Sequence, residues 1–220
     1  MKTLFRAAAE LERFLSEQGW RYCFIGGIAL QRWGQPRLTN DVDLTLLTGF
    51  GNETAYVDEL LRRYKTRIPD GRQFAIDHRV LLLQSPEGIP IDVALGGIAF
   101  EQQMVARATR YEFLPGVSLL TCSAEDLITL KAFADRPRDW ADVETIVARQ
   151  QTRLDWNYIF EQLEPLCQVR QDAEVLDHVR RLHRREVSRL EQKHRQGNQR
   201  NPAVEGEFDV RQNEQAGRDS

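Results

Sequence analysis

Apolar residues recur at close to helical spacing over residues 3–18, where Leu4, Phe5, Ala8, Leu11, Phe14 and Leu15 share one face and Gly19 follows as a stop. That pattern predicts an amphipathic helix. A short apolar run at 22–25 ends at Gly26-Gly27 and predicts a strand followed by a turn; residues 28–33 form a short helical pattern ending at Gly34. Residues 35–40 predict a loop that delivers the chain to 41–47, where side chains alternate as in a strand. Asp41, Asp43 and Thr45 fall on one face there, and Val42, Leu44 and Leu46 on the other. Residues 53–64 are helical in pattern through Tyr56, Val57, Leu60, Leu61 and Tyr64. Two β-rich runs, 79–84 and 89–95, flank Ser85-Pro86-Glu87-Gly88 and predict a hairpin. A helix over 98–107 and a second strand pair, 108–114 and 117–121 through Pro115-Gly116, follow.

From Ser123 the period changes to helical. Ser123 is a credible N-cap for a helix carrying Leu127, Ile128, Leu130 and Phe133, and a second helix runs from about Asp139 through Val143, Ile146 and Val147. Asp155 caps a third, with Trp156, Ile159, Phe160 and Leu163, broken near Pro165; residues 172–194 form a fourth, with Val175, Leu176, Val179, Leu182, Val187 and Leu190. The expected organisation is an α/β (α+β) domain over 1–121 with a mixed sheet and flanking helices, then a C-terminal helical bundle over 122–195. The polar, aperiodic stretch 196–220 is expected to be a disordered tail.

Composition sharpens this only in part. With 41% hydrophobic and 29% charged residues the chain reads as globular, and a net charge of −3 means that any nucleic-acid surface must be a local patch. Cys23, Cys122 and Cys167 lie far apart without CxxC spacing, suggesting neither a zinc site nor a disulfide framework. Charges interrupt the apolar residues of the first helix, so no signal peptide is expected. No later apolar run approaches the ~20 residues of a membrane span, which makes the cytoplasm the expected location and a membrane partner unexpected. Lysines are few, at 2, 65, 131 and 193.

The acids carry the chemistry. Alternating acids often mark a solvated strand face, but Asp43 is followed by Leu44-Thr45-Leu46-Leu47 and Asp92 is bracketed by Ile91, Val93 and Leu95. An acid in such a core-like strand must be paired, metal-bound or at a cleft, because desolvating an unpaired carboxylate is costly. Like charges placed together are relieved by a cation, and hard oxygen ligands favour Mg²⁺ or Mn²⁺. Gly26-Gly27 supplies the turn between strand and helix; it also leaves backbone N–H groups open to phosphate oxygens at a helix N-terminus.

The ordered pattern GGIALQRWG…RLTNDVDL…IDVAL resembles the nucleotidyltransferase superfamily typified by DNA polymerase β. The stretch SAEDLITLKAFADRPRDWADVETIV is similar to the AbiEii-type branch, which includes toxins of type IV toxin–antitoxin systems. The likeness covers about residues 22–148. It implies a nucleotidyltransferase (EC 2.7.7-type) that moves an NMP from an NTP to a hydroxyl acceptor and releases pyrophosphate. Asp41 and Asp43 would bind two metals; Asp92 would bind the catalytic metal and help deprotonate the acceptor. Gly26, Gly27 and Lys131 would hold the nucleotide's triphosphate, and Asp142 would match the last acidic motif. Many relatives carry Ser at the position of Gly27, so that hydroxyl contact is missing here. The implied acceptor is RNA, such as a tRNA 3′ end, or a small molecule, and a toxin would have a cognate antitoxin. A non-catalytic nucleotide- or partner-binding module on the same scaffold is the alternative.

Residue by residue, blander roles stand beside these. Lys131 lies beside the apolar face of its helix, where a lysine commonly snorkels its ammonium outward. Asp139 can cap its helix with Asp142 near N3, and Arg138 can pair on the surface. His78, His178, His183 and His194 show no metal spacing with the acids, and Trp33 and Trp140 read as core or cleft packing. Arg181, Arg184, Arg185 and Arg189 fall on helical spacing, either as a solvated face or as a stripe for an RNA backbone.

Overall fold

The computed structural model describes the backbone of residues 1–200 and the side chains of residues 1–193. Strands β1 (Tyr22–Phe24), β2 (Val42–Leu47), β3 (Lys65–Thr66), β4 (Val80–Gln84), β5 (Pro90–Gly96), β6 (Thr109–Leu114) and β7 (Val117–Thr121) form one mixed sheet in the order β3-β4-β5-β2-β1-β7-β6. β2 pairs with β5 and β1 with β7 in parallel; the other pairings are antiparallel.

The pleat divides the core into two layers. Tyr22 and Phe24 of β1, Val42, Leu44 and Leu46 of β2, and Ile91, Val93 and Leu95 of β5 point into one apolar cluster. Helices α1 (Lys2–Glu17), α3 (Glu53–Arg63) and α4 (Gly71–His78) close that layer with Leu4, Leu11, Leu15, Val57, Leu60 and Ala75. Cys23 joins the other cluster, where α2 (Gly26–Trp33), α5 (Ala99–Arg107), α6 (Ala124–Ala134), α7 (Pro137–Gln150), α8 (Trp156–Arg170) and the first turns of α9 (Ala173–Arg200) pack through Leu30, Met104, Ile128, Val143, Ile159 and Val179. Because successive strand residues alternate faces, Asp43 and Asp92 are turned toward this helical layer.

Met1–Glu186 forms one compact unit, and the described residues from Val187 onward belong to a second. The change of period near residue 121 lies inside the first unit, where it marks the passage from sheet to helical layer. The expected caps are present: the Ser123 hydroxyl accepts from Asp126 N (3.1 Å) and the Asp155 carboxylate from Tyr158 N (3.1 Å). Several elements differ from the sequence pattern. α2 begins at Gly26, and β2 begins at Val42, leaving Asp41 just outside the strand. The two-residue β3 and the largely polar α4 are too short and too weakly periodic to announce themselves. Pro165 does not break α8: its ring lies on an exposed face, so the carbonyl it leaves unpaired at Glu161 stays open to water. The tail expected from 196 is helical as far as Arg200, and the rest lies outside the described residues. No helix among the described residues is long and apolar enough to cross a membrane.

Leu44 is fully buried in β2 between β1 and β5. Leu44→Ala is expected to lower unfolding stability by about 2–5 kcal/mol, read as a lower urea midpoint at unchanged slope.

Candidate active site

In the parallel ladder between β2 and β5, Asp43 stands directly opposite Asp92. Asp41 precedes Asp43 by two residues and completes a group of three carboxylates at one edge of the sheet. They border a cavity of about 470 Å³ with Gly26, Gly27, Arg37 and Thr39 beside them and Leu127, Lys131, Arg136, Arg138 and Asp139 among its other lining residues. Burial and crowding both show in the acidities of Asp43 and Asp92. Burial, then Asp41 and Asp92, push the Asp43 carboxyl up to about 6 against the opposing Gly27 N–H and Lys131. Burial also raises the Asp92 carboxyl, although Arg67 beside it works in the other direction. Arg67, on the segment after β3, donates a hydrogen bond to Asp92.

Position 26 is glycine for two reasons on view. Its φ is +54°, and a Cβ there would lie 2.1 Å from Asp43 Oδ2. The close approach lets the Gly27 N–H face Asp43 Oδ2 at 3.4 Å. A Cβ at position 27 would lie 2.1 Å from the Thr39 hydroxyl. That corner therefore does contain a hydroxyl, supplied by buried Thr39, which donates to Asp41 Oδ1 at 2.7 Å.

The Lys131 ammonium is not a snorkelling surface charge. It is 6% exposed and donates to Asp139 Oδ1 (2.9 Å) and Asp142 Oδ2 (2.7 Å). Asp142, 4% exposed, also receives a two-pronged contact from Arg37, Nε to Oδ1 at 2.8 Å and Nη2 to Oδ2 at 2.7 Å. α7 starts at Pro137, so Asp139 occupies its third position and Asp142 lies a turn further in. Asp142 thus joins two cations rather than capping a helix. Burial alone would raise its carboxyl, but the Arg37 and Lys131 hydrogen bonds outweigh that and hold it below the usual carboxylate range.

Arg37, Thr39 and Arg67 are contributors that the sequence pattern does not single out. For the first two a signal exists: Arg37, Thr39, Asp41 and Asp43 occupy every second position, so the strand's alternation extends back into the loop, and exposed Leu38 points the other way. Arg67 has no such signal. The described histidines stand apart from the acids: His78 lies against Phe74, His178 on Trp140 and His183 on Trp156. Trp33 packs against the helical layer and donates to the Cys122 carbonyl.

The donors are carboxylate oxygens, the set that suits Mg²⁺ or Mn²⁺, and Asp43 and Asp92, raised first by burial and then by neighbouring carboxylates, are groups whose ionised form a cation would favour. Among the described residues no group of three or more His, Cys, Asp or Glu side chains is already gathered to hold one ion. The residues fit a divalent cation in donor chemistry, with Asp92 held aside by Arg67.

Registered acids on adjacent parallel strands of a mixed sheet, facing a glycine-led helix and a cationic helix pair, place this chain in the nucleotidyltransferase class of folds. The profile of the family described as nucleotidyl transferase AbiEii toxin, type IV toxin–antitoxin system, matches residues 10–212. The chain belongs to that family. No curated protein sequence matches it. Solved structures to which the chain is similar include an antigenic nucleotidyltransferase-like protein from Paracoccidioides brasiliensis, 18% identical over 78% of this chain and 90% of that one, with a TM-score of 0.46. The lincosamide antibiotic adenylyltransferase LnuA, lincomycin-bound, is 13% identical over 64% and 94%, with a TM-score of 0.45. The antibiotic-resistance factor ANT(2'')-Ia is 18% identical over 89% and 98%, with a TM-score of 0.42.

Asp142→Ala would leave two cations around an empty position. It is expected to destabilise the protein by about 3–5 kcal/mol, more than Lys131→Ala, which leaves Asp142 paired with Arg37; urea unfolding of both variants orders the two losses.

Proposed function

We propose that this chain transfers a nucleoside monophosphate from an NTP to a hydroxyl acceptor, either an RNA end or a small molecule, with release of pyrophosphate. One observation carries this reading: Asp43 and Asp92 stand in register, with Asp41 beside them, at a cavity that Lys131, Arg136, Arg138 and Asp139 also line. Acids and cations lining one cavity suit a triphosphate whose reacting phosphorus lies between them.

Asp41, Asp43 and Asp92 would hold Mg²⁺ or Mn²⁺, which supplies neutralisation of phosphate charge and acidification of the attacking hydroxyl. The chain's own groups do the rest. Two of the three N–H donors of Lys131 are taken by Asp139 and Asp142, so one remains for a phosphate oxygen, with its direction fixed. Asp142 sets both that lysine and Arg37, and acts on the nucleotide through them. Thr39 holds one oxygen of Asp41 and leaves the other for the cavity. Gly26 and Gly27 keep the approach to Asp43 free of side chains. The family's description as a toxin of a toxin–antitoxin system supports a cognate antitoxin as partner.

The test is incubation with Mg²⁺, labelled NTPs and total RNA, reading labelled RNA and pyrophosphate. Asp41→Asn, Asp43→Asn and Asp92→Asn are each expected to abolish pyrophosphate release while circular dichroism and Tm stay near wild type; retained turnover in any of them would remove the proposal. Lys131→Ala is expected to raise the KM for NTP about tenfold or more, the value of a lost charged hydrogen bond. NTP binding without pyrophosphate release with any acceptor would point instead to a non-catalytic binding module.

A further inference from the structure

We propose that the surface where α7 meets the start of α9 is a docking face for the phosphate backbone of a nucleic-acid acceptor, leading the strand's hydroxyl end into the cavity. This rests on the nucleotidyl-transfer reading above. His178, Arg181, Arg184 and Arg185 line a concavity of about 460 Å³, and no acid lines it. Their spacing of three and four residues places them on one helical face. The three arginines are exposed. Among the described residues Arg181 and Arg184 make no ion pair. Arg185 leans on Glu144 at 3.5 Å, but both side chains are more than half exposed, so that contact is weak and easily exchanged for a phosphate.

The concavity is joined to the cavity through α7. The His178 ring stacks on Trp140, with centroids 3.8 Å apart and planes 19° from parallel. Trp140 directly follows Asp139, which lines the acid-bearing cavity together with exposed Arg136 and Arg138. From Arg138 to Glu144, where Arg185 reaches across, is about 9 Å along the helix. Cations therefore run from the lining of the cavity across one helix to the next, Arg136 among them being paired with Asp139 at 3.0 Å. Asp135 and Glu144 are the acids that also face His178, whose imidazole is kept below its usual pKa by burial and by Arg181 and Arg185.

A small acceptor ends inside the cavity and leaves this run of cations unused. A polyanion with a terminal hydroxyl uses both, and the planar guanidinium forks match phosphate oxygens two at a time. In a chain of net charge −3 such a run is a local feature, not a by-product of a basic surface.

The experiment measures binding of a fluorescein-labelled single-stranded RNA with a free 3′ hydroxyl, by anisotropy and without NTP, across a salt series. The double variant Arg181→Glu/Arg184→Glu is compared with wild type and with Arg62→Glu on α3 as a charge control. The double variant is expected to bind RNA at least tenfold more weakly, with its log Kd against log salt slope reduced by about 1.4, the value for two phosphate contacts on a single strand. Its NTP binding should match wild type and Arg62→Glu should behave as wild type. RNA binding unchanged in the double variant overturns the docking face, as does loss of antitoxin binding with RNA binding intact. Failure of the transfer reading would appear separately, as absent pyrophosphate release in wild type.

Discussion

Three carboxylates brought to one edge of a sheet impose the constraint on which the site is built. Registered strands place Asp43 against Asp92, and Asp41 enters from the adjoining loop, so like charges meet where burial already disfavours ionisation. Everything nearby answers that excess. Arg67 covers Asp92 from the sheet edge, Gly27 offers its N–H to Asp43, and Thr39 fixes Asp41. Lys131 lines the same cavity with its own charge balanced by Asp139 and Asp142.

Positioning is divided between the two faces of the sheet. On one, α1, α3 and α4 bury the even-numbered residues of β2 and so lock the strand's phase. On the other, α2 and α6 stand back far enough to leave the cavity, and α7 returns Asp142 to hold both Lys131 and Arg37. Since Arg37 belongs to the loop before β2, the Asp142 carboxylate fastens the helical layer to the segment that carries the acids. The helices after residue 122 are in this sense part of the site's frame.

Sequence made the acids legible because Asp43 and Asp92 interrupt runs that otherwise read as core, and a charge there demands a reason. Lys131 was legible as an anomaly on an apolar helix, but its partners were not: contacts eight and eleven residues along the chain depend on the angle between two helices, which no periodicity encodes. Arg37 and Thr39 sat in a stretch read only as a loop, although their two-residue phase with Asp41 was there to be followed. β3 and α4 were invisible because two residues cannot show alternation and a largely polar two-turn pattern resembles a loop. The arginine spacing on α9 was plain, whereas its continuity with the cavity through Trp140 required the packing of α7 on α9.

The tight corner formed by Gly27 and Thr39 has a consequence for how this site can change over generations. Two side chains cannot share that space, since a carbon at 27 would fall 2.1 Å from the hydroxyl at 39. Substitutions at these positions are therefore not independent: a lineage that gains a side chain at 27 must first shorten or move the one at 39. The same dependence binds 26 to 43, where the acid itself occupies the room. A chain with only one change of either pair would carry a displaced Thr39 or a displaced Asp43.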